Sequence, residues 1–279
     1  MRVAVTGLDG FTGRYLQAAL ETRGHEAVAL AADVTDAGAL DRAVADTAPD
    51  AVVHLAARAF VQSDDFASFY QVNQIGSFNL FRSLAAARPG ATVLLASSAQ
   101  VYGDGKSGLI AESEAARPAN HYALSKHAAE LGARFWADRL RIVAVRPFNY
   151  TGRGQEERYL VPKIVAHFRA RAPEIELGNI DVRRDFGDVR HVVDAYVRLL
   201  ERPPEGPVNI ATGRVRSVRD VIAIAEAETG HRIRVGFNPA FARPDDVEEL
   251  GGDVSRLRAA LPGWEPRPLE DTIRWMLEA

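Results

Sequence analysis

The sequence begins with a short apolar strand that leads through a glycine turn into a helix. Residues 3–5 have the composition of a buried strand, glycines stand at 7, 10 and 13, and residues 14–20 have helical spacing. Glycines in such a turn let the backbone approach a pyrophosphate, which then lies on the N–H groups of the helix N-terminus. The order strand, G-x-x-G-x-x-G and helix therefore predicts a dinucleotide site. The alternative is a tight turn that binds no ligand.

The composition excludes several other kinds of protein. The 279 residues are 47% hydrophobic and 25% charged, which suits one large domain or two that share a cleft. The net charge of -3 gives no electrostatic reason to bind nucleic acid or an anionic membrane. Without cysteine there is no disulfide, thiolate metal site or cysteine nucleophile, and we expect no metal. Since no apolar run reaches about 18 residues and no leader precedes the first strand, we expect a cytoplasmic protein.

The segment after the second strand bears on the choice of cofactor. Residues 26–30 predict this strand, and an acidic residue at its end would bind a ribose 2′-hydroxyl and favour NAD. Ala31 and Ala32 stand there instead, whereas Arg14 could reach a 2′-phosphate. We therefore favour NADP(H) and keep NAD(H) as the alternative. Asp33 is expected to lie near the adenine and to cap the helix predicted over 37–45.

Strands and helices then alternate along the chain. Residues 50–57 predict a buried strand whose end overlies the cofactor, with His54 as a hydrogen-bonded core residue. A helical pattern covers 68–87, and residues 91–96 predict the next strand. This alternation predicts an α/β fold, a Rossmann-type doubly wound parallel sheet that binds ligands at the carboxyl ends of its strands.

Three polar residues form the strongest candidate for an active site. Tyr122 and Lys126 are one helical turn apart, so they share a helix face. A nearby cation favours phenolate, which would lower the pKa of Tyr122 and make it a better proton donor. Ser98 follows a strand and could donate a hydrogen bond to a substrate oxygen. Each has an ordinary alternative, a surface helix pair or a turn and helix cap, but together they favour catalysis.

The second half of the chain predicts a smaller lobe. Residues 141–146 predict a core strand, and the pattern becomes irregular from Asn149. Residues 161–171 predict a helix of a substrate lobe, and residues 188–200 and 206–211 are expected to return to sheet-like packing. Ser217 and Gly230 are predicted to cap and stop an amphipathic helix.

The motifs together resemble the extended short-chain dehydrogenase/reductase family of nucleotide-sugar enzymes, in its NAD-dependent epimerase/dehydratase branch. The matching stretches cover nearly the whole chain: 6–13, 54–57, 97–103, 122–126, 146–149, 184–186 and 243–244. Within the family, residues 146–155, 178–186 and 263–266 are most similar to reductases of GDP-4-keto-6-deoxy-mannose, which make GDP-rhamnose. The resemblance implies a dinucleotide-binding domain of residues 1–147 and 187–212, and a nucleotide-sugar-binding lobe of 148–186 and 213–279.

The resemblance also implies roles for single residues. Tyr122 would donate and accept the proton, Lys126 would hold the nicotinamide ribose and lower the pKa of Tyr122, and Ser98 would hydrogen-bond the sugar carbonyl. Arg184 and Arg243 match diphosphate contacts, for which a guanidinium fork is well suited. For Arg184, a salt bridge with neighbouring acids is the alternative.

Further residues are implied by the same resemblance. Asn149 would bind the substrate near the diphosphate, and Arg183 has no assigned role. The expected cofactor-binding residues are Gly7, Gly10, Phe11, Thr12, Gly13, Arg14, Asp33, Val34, Leu55, Ala56, Ala57, Tyr122 and Lys126. A homodimer through the two long helices that include Asn73 and Tyr122 is also implied.

Departures from the family indicate the type of reaction. The family's 4,6-dehydratases have an Asp-Glu pair just after the catalytic hydroxyl, where this sequence has Ala99 and Gln100. Neither side chain can transfer a proton as a carboxyl does, and the Cys of the epimerase-reductases is absent. The expected activity is therefore an NAD(P)H-dependent reductase of a nucleotide-activated 4-keto-6-deoxy sugar. The alternatives are a nucleotide-sugar 4-epimerase that retains NAD and, more remotely, a non-catalytic dinucleotide sensor.

Overall fold

The computed structural model describes residues 1–59, 65–103, 108–241 and 248–278 of the chain. Its strands are β1 (Arg2–Thr6), β2 (Glu26–Ala29), β3 (Ala51–His54), β4 (Thr92–Ala96), β5 (Leu109–Ile110), β6 (Arg141–Pro147), β7 (Asn149–Thr151), β8 (Glu174–Leu177), β9 (Arg183–Asp188), β10 (Val208–Ile210), β11 (Val215–Ser217), β12 (Arg234–Phe237) and β13 (Glu249–Gly252).

Helices connect most of these strands. They are α1 (Phe11–Thr22), α2 (Ala37–Thr47), α3 (Phe66–Phe69), α4 (Gly76–Ala87), α5 (His121–Ala133), α6 (Leu160–Arg169), α7 (Val189–Glu201), α8 (Val218–Thr229), α9 (Ser255–Ala260) and α10 (Leu269–Leu277). Tyr70–Ile75 form a π-helical segment that joins α3 to α4, and Ala99–Tyr102 form a 3₁₀ turn after β4. In the ranges that the structure describes, no helix is both long and apolar enough to cross a membrane.

Six parallel strands form the central sheet, in the order β2-β1-β3-β4-β6-β10. The register pairs Val3 with Ala51 across β1 and β3, and Val93 with Ile142 across β4 and β6. Because β2 and β3 lie on opposite sides of β1, the strand order reverses at β1, and sheets of this kind bind ligands in the crevice at that point. The predicted Rossmann-type parallel sheet is confirmed.

Helices cover both faces of this sheet and bury a separate apolar core on each. On one face, Leu16 and Leu20 of α1 pack with the apolar side of α7. On the other face, Leu40 of α2, Leu84 of α4 and Ala129 of α5 share a second core. Each fully buried leucine stabilises the fold by about 1.5–3 kcal/mol. The two cores therefore hold the carboxyl ends of the strands in fixed positions.

A third core lies in the C-terminal part of the chain. It is built by α6, β8, β9, α8 and α10, and includes Ile164, Phe168 and Ile273. β9 pairs with β11 in antiparallel and with β7 and β13 in parallel orientation. Leu257 of α9, in contrast, packs into the core on the α1 side of the central sheet. The division into two domains stays a prediction.

The expectation of sheet-like packing for residues 188–200 is wrong, because this segment is α7. Its buried residues include Val189, Val192, Val193 and Tyr196, which recur at helical spacing and all enter the core beside α1. Packing of this face outweighs the preference of valine for strands.

The prediction that Asp33 caps the following helix is also wrong. Asp36 is the N-cap of α2, and its carboxylate accepts a hydrogen bond from the helix backbone at 2.9 Å. Asp33 instead accepts from both the N–H and the hydroxyl of Thr35. An aspartate that closes a local turn in this way is not available to a helix that starts four residues later.

The predicted ends of α8 are confirmed. The Ser217 side chain accepts from the Asp220 N–H, and the Asp220 carboxylate accepts from the Ser217 N–H, which makes a capping box. Gly230 ends the helix with a φ of 64°.

Candidate active site

The turn between β1 and α1 requires glycine, because a side chain at Gly13 would clash and one at Gly7 would be strained. Gly7 has a φ of +73°, and a Cβ added to Gly13 would lie 2.2 Å from the Leu8 carbonyl oxygen. Gly10 is the N-cap of α1, and no side chain of the described residues caps this helix. The turn therefore presents backbone at a helix N-terminus without steric cover, which fits the pyrophosphate of a dinucleotide.

The segment after β3 adjoins this turn, and the segment after β2 follows a strand that pairs with β1. A Cβ added to Gly7 would lie 3.3 Å from the Ala56 nitrogen, so the ends of β1 and β3 are adjacent. Val34 is buried, whereas Asp33 is exposed, and hydrogen bonds from the backbone and side chain of Thr35 lower the pKa of its carboxyl. The predicted cofactor residues Leu55, Ala56 and Ala57 directly follow β3.

Arg14 lies on the exposed side of α1. Its Nη1 donates to the Asp9 carbonyl at 3.0 Å, and its Nη2 to the Gly154 carbonyl at 3.5 Å. The guanidinium is thus held beside the glycine turn, and neither carbonyl belongs to the segment after β2.

Ser98, Tyr122 and Lys126 come together at the carboxyl end of β4. Ser98 is the N-cap of the 3₁₀ turn, and Tyr122 and Lys126 lie on the buried side of α5. The Tyr122 side chain hydrogen-bonds with Ser98, and the Lys126 ammonium donates to the Ala96 carbonyl at 2.7 Å. All three side chains belong to residues that are at most 8% exposed. The structure therefore places the three predicted catalytic residues in one site.

The acidity of the site differs from the prediction. Burial raises the pKa of Tyr122 to about 12, against the effect of its hydrogen bond with Ser98. The expected net lowering of this pKa is not found, because desolvation is the largest influence and the Lys126 ammonium is bound to the Ala96 carbonyl. The effect of Lys126 on Tyr122 stays a prediction. Burial also lowers the pKa of Lys126 to about 8, although the Glu130 carboxylate opposes this. Near neutral pH, Tyr122 holds its proton and Lys126 its charge.

A chain of neutral hydrogen bonds connects the end of β1 to the π-helical segment. His54 contacts the Thr6 hydroxyl through Nδ1 at 2.7 Å and the Ser77 hydroxyl through Nε2 at 3.0 Å. Ser77 donates to the Asn73 carbonyl at 2.5 Å, so the ring must donate from Nε2 and accept at Nδ1. Burial, assisted by the charge of Lys126, lowers the pKa of His54 to about 3. The prediction of a hydrogen-bonded core histidine is confirmed.

The amide of Asn73 extends this chain to α5. It accepts from the Arg58 N–H at 2.8 Å and donates to the Ser125 hydroxyl at 3.0 Å, and Ser125 donates to the Tyr122 carbonyl. π-helical turns recur at functional sites because they re-aim single side chains. Here the π segment directs Asn73 between the strand ends and the helix that carries Tyr122.

A buried ion pair lies on the other side of Lys126. Glu130, one turn further along α5, accepts from Arg146 of β6 at 2.6 and 3.1 Å, and both side chains are 7% exposed. Burial alone would raise the pKa of Glu130, but the nearby His127 ring, 3.7 Å away, and the hydrogen bonds and charge of Arg146 lower it to about 2. Arg146 also donates to the Tyr102 hydroxyl at 3.1 Å. Sequence reasoning missed this pair, although Glu130 continues the helix face of Tyr122 and Lys126.

Two of the predicted substrate residues, Asn149 and Arg184, lie on β7 and β9. Asn149 is exposed at the start of β7 and lines a shallow pocket together with Gly187 and His191. Arg184 is on β9, and its Nη1 donates to the Arg183 carbonyl at 2.7 Å. Arg183 pairs with Glu249 at 3.0 Å. Arg243 lies outside the described residues, so its position is not given.

The acids near Arg184 are occupied by other groups. Asp185 is buried and accepts from the Thr212 N–H and hydroxyl and from the Gly213 N–H. Asp188 binds the Arg190 guanidinium. Both carboxylates thus bind groups other than Arg184 in these contacts, and the role of Arg184 stays a prediction.

Tyr150 is a further residue that the sequence did not single out. Its hydroxyl is 2.8 Å from the Thr12 hydroxyl, and its ring stacks on Phe11 with the centroids 6.2 Å apart. The Tyr150 phenol is also close enough to Tyr122 to help raise its pKa. It therefore connects the glycine turn with the segment that carries Asn149. No periodic pattern marks this contact, which spans 138 positions.

The chain is similar to known proteins over most of its length. The family model described as GDP-mannose 4,6 dehydratase matches residues 27–276. A GDP-6-deoxy-D-talose 4-dehydrogenase of Aggregatibacter actinomycetemcomitans is 37% identical, over 92% of this chain and 90% of that protein. A GDP-6-deoxy-D-mannose reductase of Pseudomonas aeruginosa is 34% identical, over 100% of this chain and 95% of that protein.

Solved structures agree in fold over nearly the full length. A protein of Burkholderia cenocepacia J2315, described as a candidate epimerase, is 43% identical and superposes with a TM-score of 0.94, covering 99% of this chain and 97% of that one. RMD from Pseudomonas aeruginosa, complexed with NADPH, is 30% identical with a TM-score of 0.89 and the same coverage.

Proposed function

The chain belongs to the GDP-mannose 4,6-dehydratase family, and from this premise we propose that it reduces the C4 ketone of a nucleotide-activated 4-keto-6-deoxy sugar with NAD(P)H. The specific proposal is the conversion of GDP-4-keto-6-deoxy-mannose to GDP-rhamnose, a precursor for deoxysugar-containing polysaccharide. One observation carries it: Ser98, Tyr122 and Lys126 meet at the carboxyl end of β4, in a sheet whose glycine turn fits a dinucleotide. The GDP-sugars named for both relatives support the substrate class.

Dehydration, the reaction after which the family is named, does not fit this site. The two residues after Ser98 are Ala99 and Gln100. A methyl group and a carboxamide cannot exchange protons with a sugar carbon or a leaving hydroxyl near neutral pH. Hydride transfer to an existing ketone requires neither group.

The residues of the site have distinct tasks in this reduction. A nicotinamide cofactor supplies the hydride. Tyr122 donates its phenol proton to the ketone oxygen, and the pKa of about 12 ensures that the proton is present at neutral pH. Ser98 donates a hydrogen bond to the same oxygen. Lys126 supplies a positive charge next to the developing alkoxide and binds the cofactor ribose, as its position on the Tyr122 face of α5 permits.

Charged and polar residues of the second lobe are proposed to hold the substrate. Arg184 and Arg243 bind the diphosphate, because a guanidinium can donate two parallel hydrogen bonds to phosphate oxygens. Asn149 binds near the diphosphate through its exposed amide. Replacement of Arg243 by Ala should raise KM more than it lowers kcat.

NADP(H) is the proposed cofactor, with NAD(H) as the alternative. The chain has Ala31 and Ala32 after β2, so no carboxylate stands there to repel a 2′-phosphate or to bind a free 2′-hydroxyl. Arg14 is the proposed phosphate contact, since its exposed guanidinium is held at the glycine turn. Arg14→Leu should raise the KM for NADPH and leave the KM for NADH unchanged.

A 4-epimerase is the second candidate function. The similarity to a candidate epimerase over 99% of the chain favours it, and an epimerase would use the same Tyr122 and Lys126. It would retain NAD and interconvert two nucleotide sugars without net consumption of cofactor.

A homodimer and a cytoplasmic location complete the proposal. On α5, Leu124, Leu131 and the following Phe135 are exposed and share one face, and Ile75 is exposed on the adjacent helix. An apolar face of this kind is suited to self-association. Sedimentation of the purified protein at several concentrations, with Leu131→Glu as the variant that should dissociate, tests the dimer. The reaction would draw on cofactor and nucleotide sugars of the cytoplasm.

The proposed activity is tested by following NADPH oxidation with GDP-4-keto-6-deoxy-mannose, then repeating the assay with NADH. We expect rapid oxidation and a GDP-6-deoxyhexose product whose C4 configuration separates GDP-rhamnose from GDP-6-deoxy-talose. Tyr122→Phe and Lys126→Met should each lower kcat about 100- to 10,000-fold with the fold intact by circular dichroism. Near-normal rates in either variant would contradict the roles given to these residues.

A further inference from the structure

The serine turn and the tyrosine helix are joined by a side-chain bridge. The Asn120 amide donates from Nδ2 to Oε1 of Gln100 at 3.2 Å. Gln100 lies two residues after Ser98, and Asn120 lies two residues before Tyr122. The bridge therefore spans the two short segments that carry the hydroxyls proposed to meet at the ketone oxygen.

Both ends of the bridge are held by backbone groups. Asn120 is the N-cap of α5, and its Oδ1 accepts from the Ala123 N–H at 2.8 Å. Since this oxygen is used by the helix, only the NH₂ group of Asn120 can face Gln100, which must then present its oxygen. At the other end, the Gln100 N–H donates to the Ser98 hydroxyl at 3.2 Å.

We propose that Gln100 is a positioning residue, which sets the separation of Ser98 and Tyr122 by holding the cap of α5 through Asn120. Its function is to accept one hydrogen bond, and it neither contacts the substrate nor transfers a proton. This inference rests on the proposed reductase activity. Gln100 thereby has a role although it lies in the turn next to Ser98 and has no acid or base function.

The geometry explains why the bridge affects catalysis more than folding. The turn is also fixed by the Arg117 N–H, which donates to the Val101 carbonyl at 2.9 Å, so loss of the Gln100 bridge leaves it attached. Without the bridge, Ser98 and the first turn of α5 can move apart by a fraction of an ångström. Displacements of about 1 Å from the reactive geometry cost on the order of 100-fold in rate, so a smaller shift should cost about 10-fold.

Three variants distinguish a positioning role of Gln100 from direct contact with the substrate. Gln100→Leu keeps the size of the side chain but removes the acceptor, and kcat should fall about 10-fold with KM and the dissociation constant for NADPH within about two-fold. Gln100→Glu keeps an acceptor facing Asn120 and should retain at least about a third of the wild-type kcat. The double variant Gln100→Glu with Asn120→Asp places two carboxylates opposite each other, and its kcat should fall as much as in Gln100→Leu. This kcat should recover toward pH 5, as one carboxylate binds a proton.

The outcomes decide the proposal. Wild-type kcat in Gln100→Leu would overturn it, and so would an equal loss in Gln100→Leu and Gln100→Glu, which would mean that the NH₂ group acts on the substrate. A rise in KM as the main effect of Gln100→Leu would also overturn it.

A second readout does not depend on the reaction. In a thermal double-mutant cycle of Gln100→Leu and Asn120→Ser, each single change should lower Tm by about 2 °C, and the two effects should not add. Additive shifts would show that the side chains are not coupled. If the wild-type protein reduces no nucleotide sugar, the proposed function fails, while this cycle still tests the bridge.

Discussion

Two buried polar networks lie on opposite sides of Lys126, and they are stabilised in different ways. The first is neutral and runs through Thr6, His54 and Asn73. The second is the ion pair of Glu130 and Arg146. Both are almost fully buried, so the comparison separates the effect of charge from that of burial.

The two networks together explain how a buried lysine keeps its charge. The charge of Lys126 helps to keep His54 neutral, and the Glu130 carboxylate raises the pKa of Lys126. A neutral imidazole adds no repulsion on one side, and a fixed carboxylate adds attraction on the other. The neutral network therefore determines position, whereas the ion pair also determines the charge of the site.

The largest expected effect comes from breaking the ion pair. Glu130→Leu leaves Arg146 buried without its carboxylate and should lower the free energy of unfolding by about 3–5 kcal/mol, measured by urea denaturation. The double variant with Arg146→Met should recover most of the loss, because no unpaired charge then remains. As a matched control, Asp181→Ala breaks an exposed ion pair with Arg219 and should change stability by at most about 1 kcal/mol. Equal effects at the buried and exposed pairs would contradict the comparison.

The two networks should lose stability in different ranges of pH. The pKa of His54 is lowered from 6.5 to about 3, so its contribution is complete above pH 6.5 and is lost as the pH falls toward 3. In this range the free energy of unfolding should fall by about 1.4 kcal/mol per pH unit through His54 alone. The pKa of Glu130 is lowered from 4.5 to about 2, so its contribution is lost only below pH 4.5.

Two variants test which residue is responsible for each pH range. In urea titrations at several pH values, His54→Leu should flatten the dependence between pH 6.5 and 4.5, and Glu130→Gln should leave that range unchanged. A wild-type slope in His54→Leu would contradict the assignment of the upper range to this histidine.

Loss of the neutral network at constant pH should have a smaller effect. His54→Leu leaves the Thr6 and Ser77 hydroxyls without their ring partner and should cost about 1–3 kcal/mol near pH 7. Ser77→Ala, which removes one hydroxyl but leaves the ring, should cost less, at about 1 kcal/mol. A cost for His54→Leu that matches Glu130→Leu would mean that the two networks do not differ.

The smallest expected effect is a shift in the pH profile of catalysis. Burial lowers the pKa of Lys126 to about 8, so kcat/KM should fall as the pH rises through this value. Glu130→Gln removes the carboxylate that raises this pKa, and the alkaline limb should move down by about half to one pH unit. Glu228→Gln, at the distant ion pair with Arg274, is the control and should not move it. If the alkaline limb of Glu130→Gln stayed at the wild-type pH, Glu130 would not be the group that raises the pKa of Lys126.

Much of the fold and the central residues of the site could be predicted because their signals are local. The glycine turn, the strands that frame it and the helical spacing of Tyr122 and Lys126 each lie within a short stretch of sequence. Parallel strands present their carboxyl ends at one edge of the sheet, so the local strand pattern before Ser98 predicts that it lies at the same edge as the glycine turn.

The remaining features depend on contacts that no short pattern contains. Tyr150 meets Thr12 across 138 positions, and Gln100 meets Asn120 across 20. The pKa of Tyr122 depends on burial, which outweighs the hydrogen bond with Ser98. Asp33 and Asp36 both offer a carboxylate before α2, and only the three-dimensional turn decides which one caps the helix.

The most direct test of the proposed reduction is to follow a deuterium label from the cofactor. Wild-type protein is given GDP-4-keto-6-deoxy-mannose and NADPH with deuterium at the transferable position of the nicotinamide, and the sugar is analysed by mass spectrometry and NMR. The proposal predicts one deuterium at C4 of a GDP-6-deoxyhexose for each NADPH oxidised, and almost none with Tyr122→Phe. An unlabelled sugar with unconsumed NADPH, or a label at any other carbon, would contradict it.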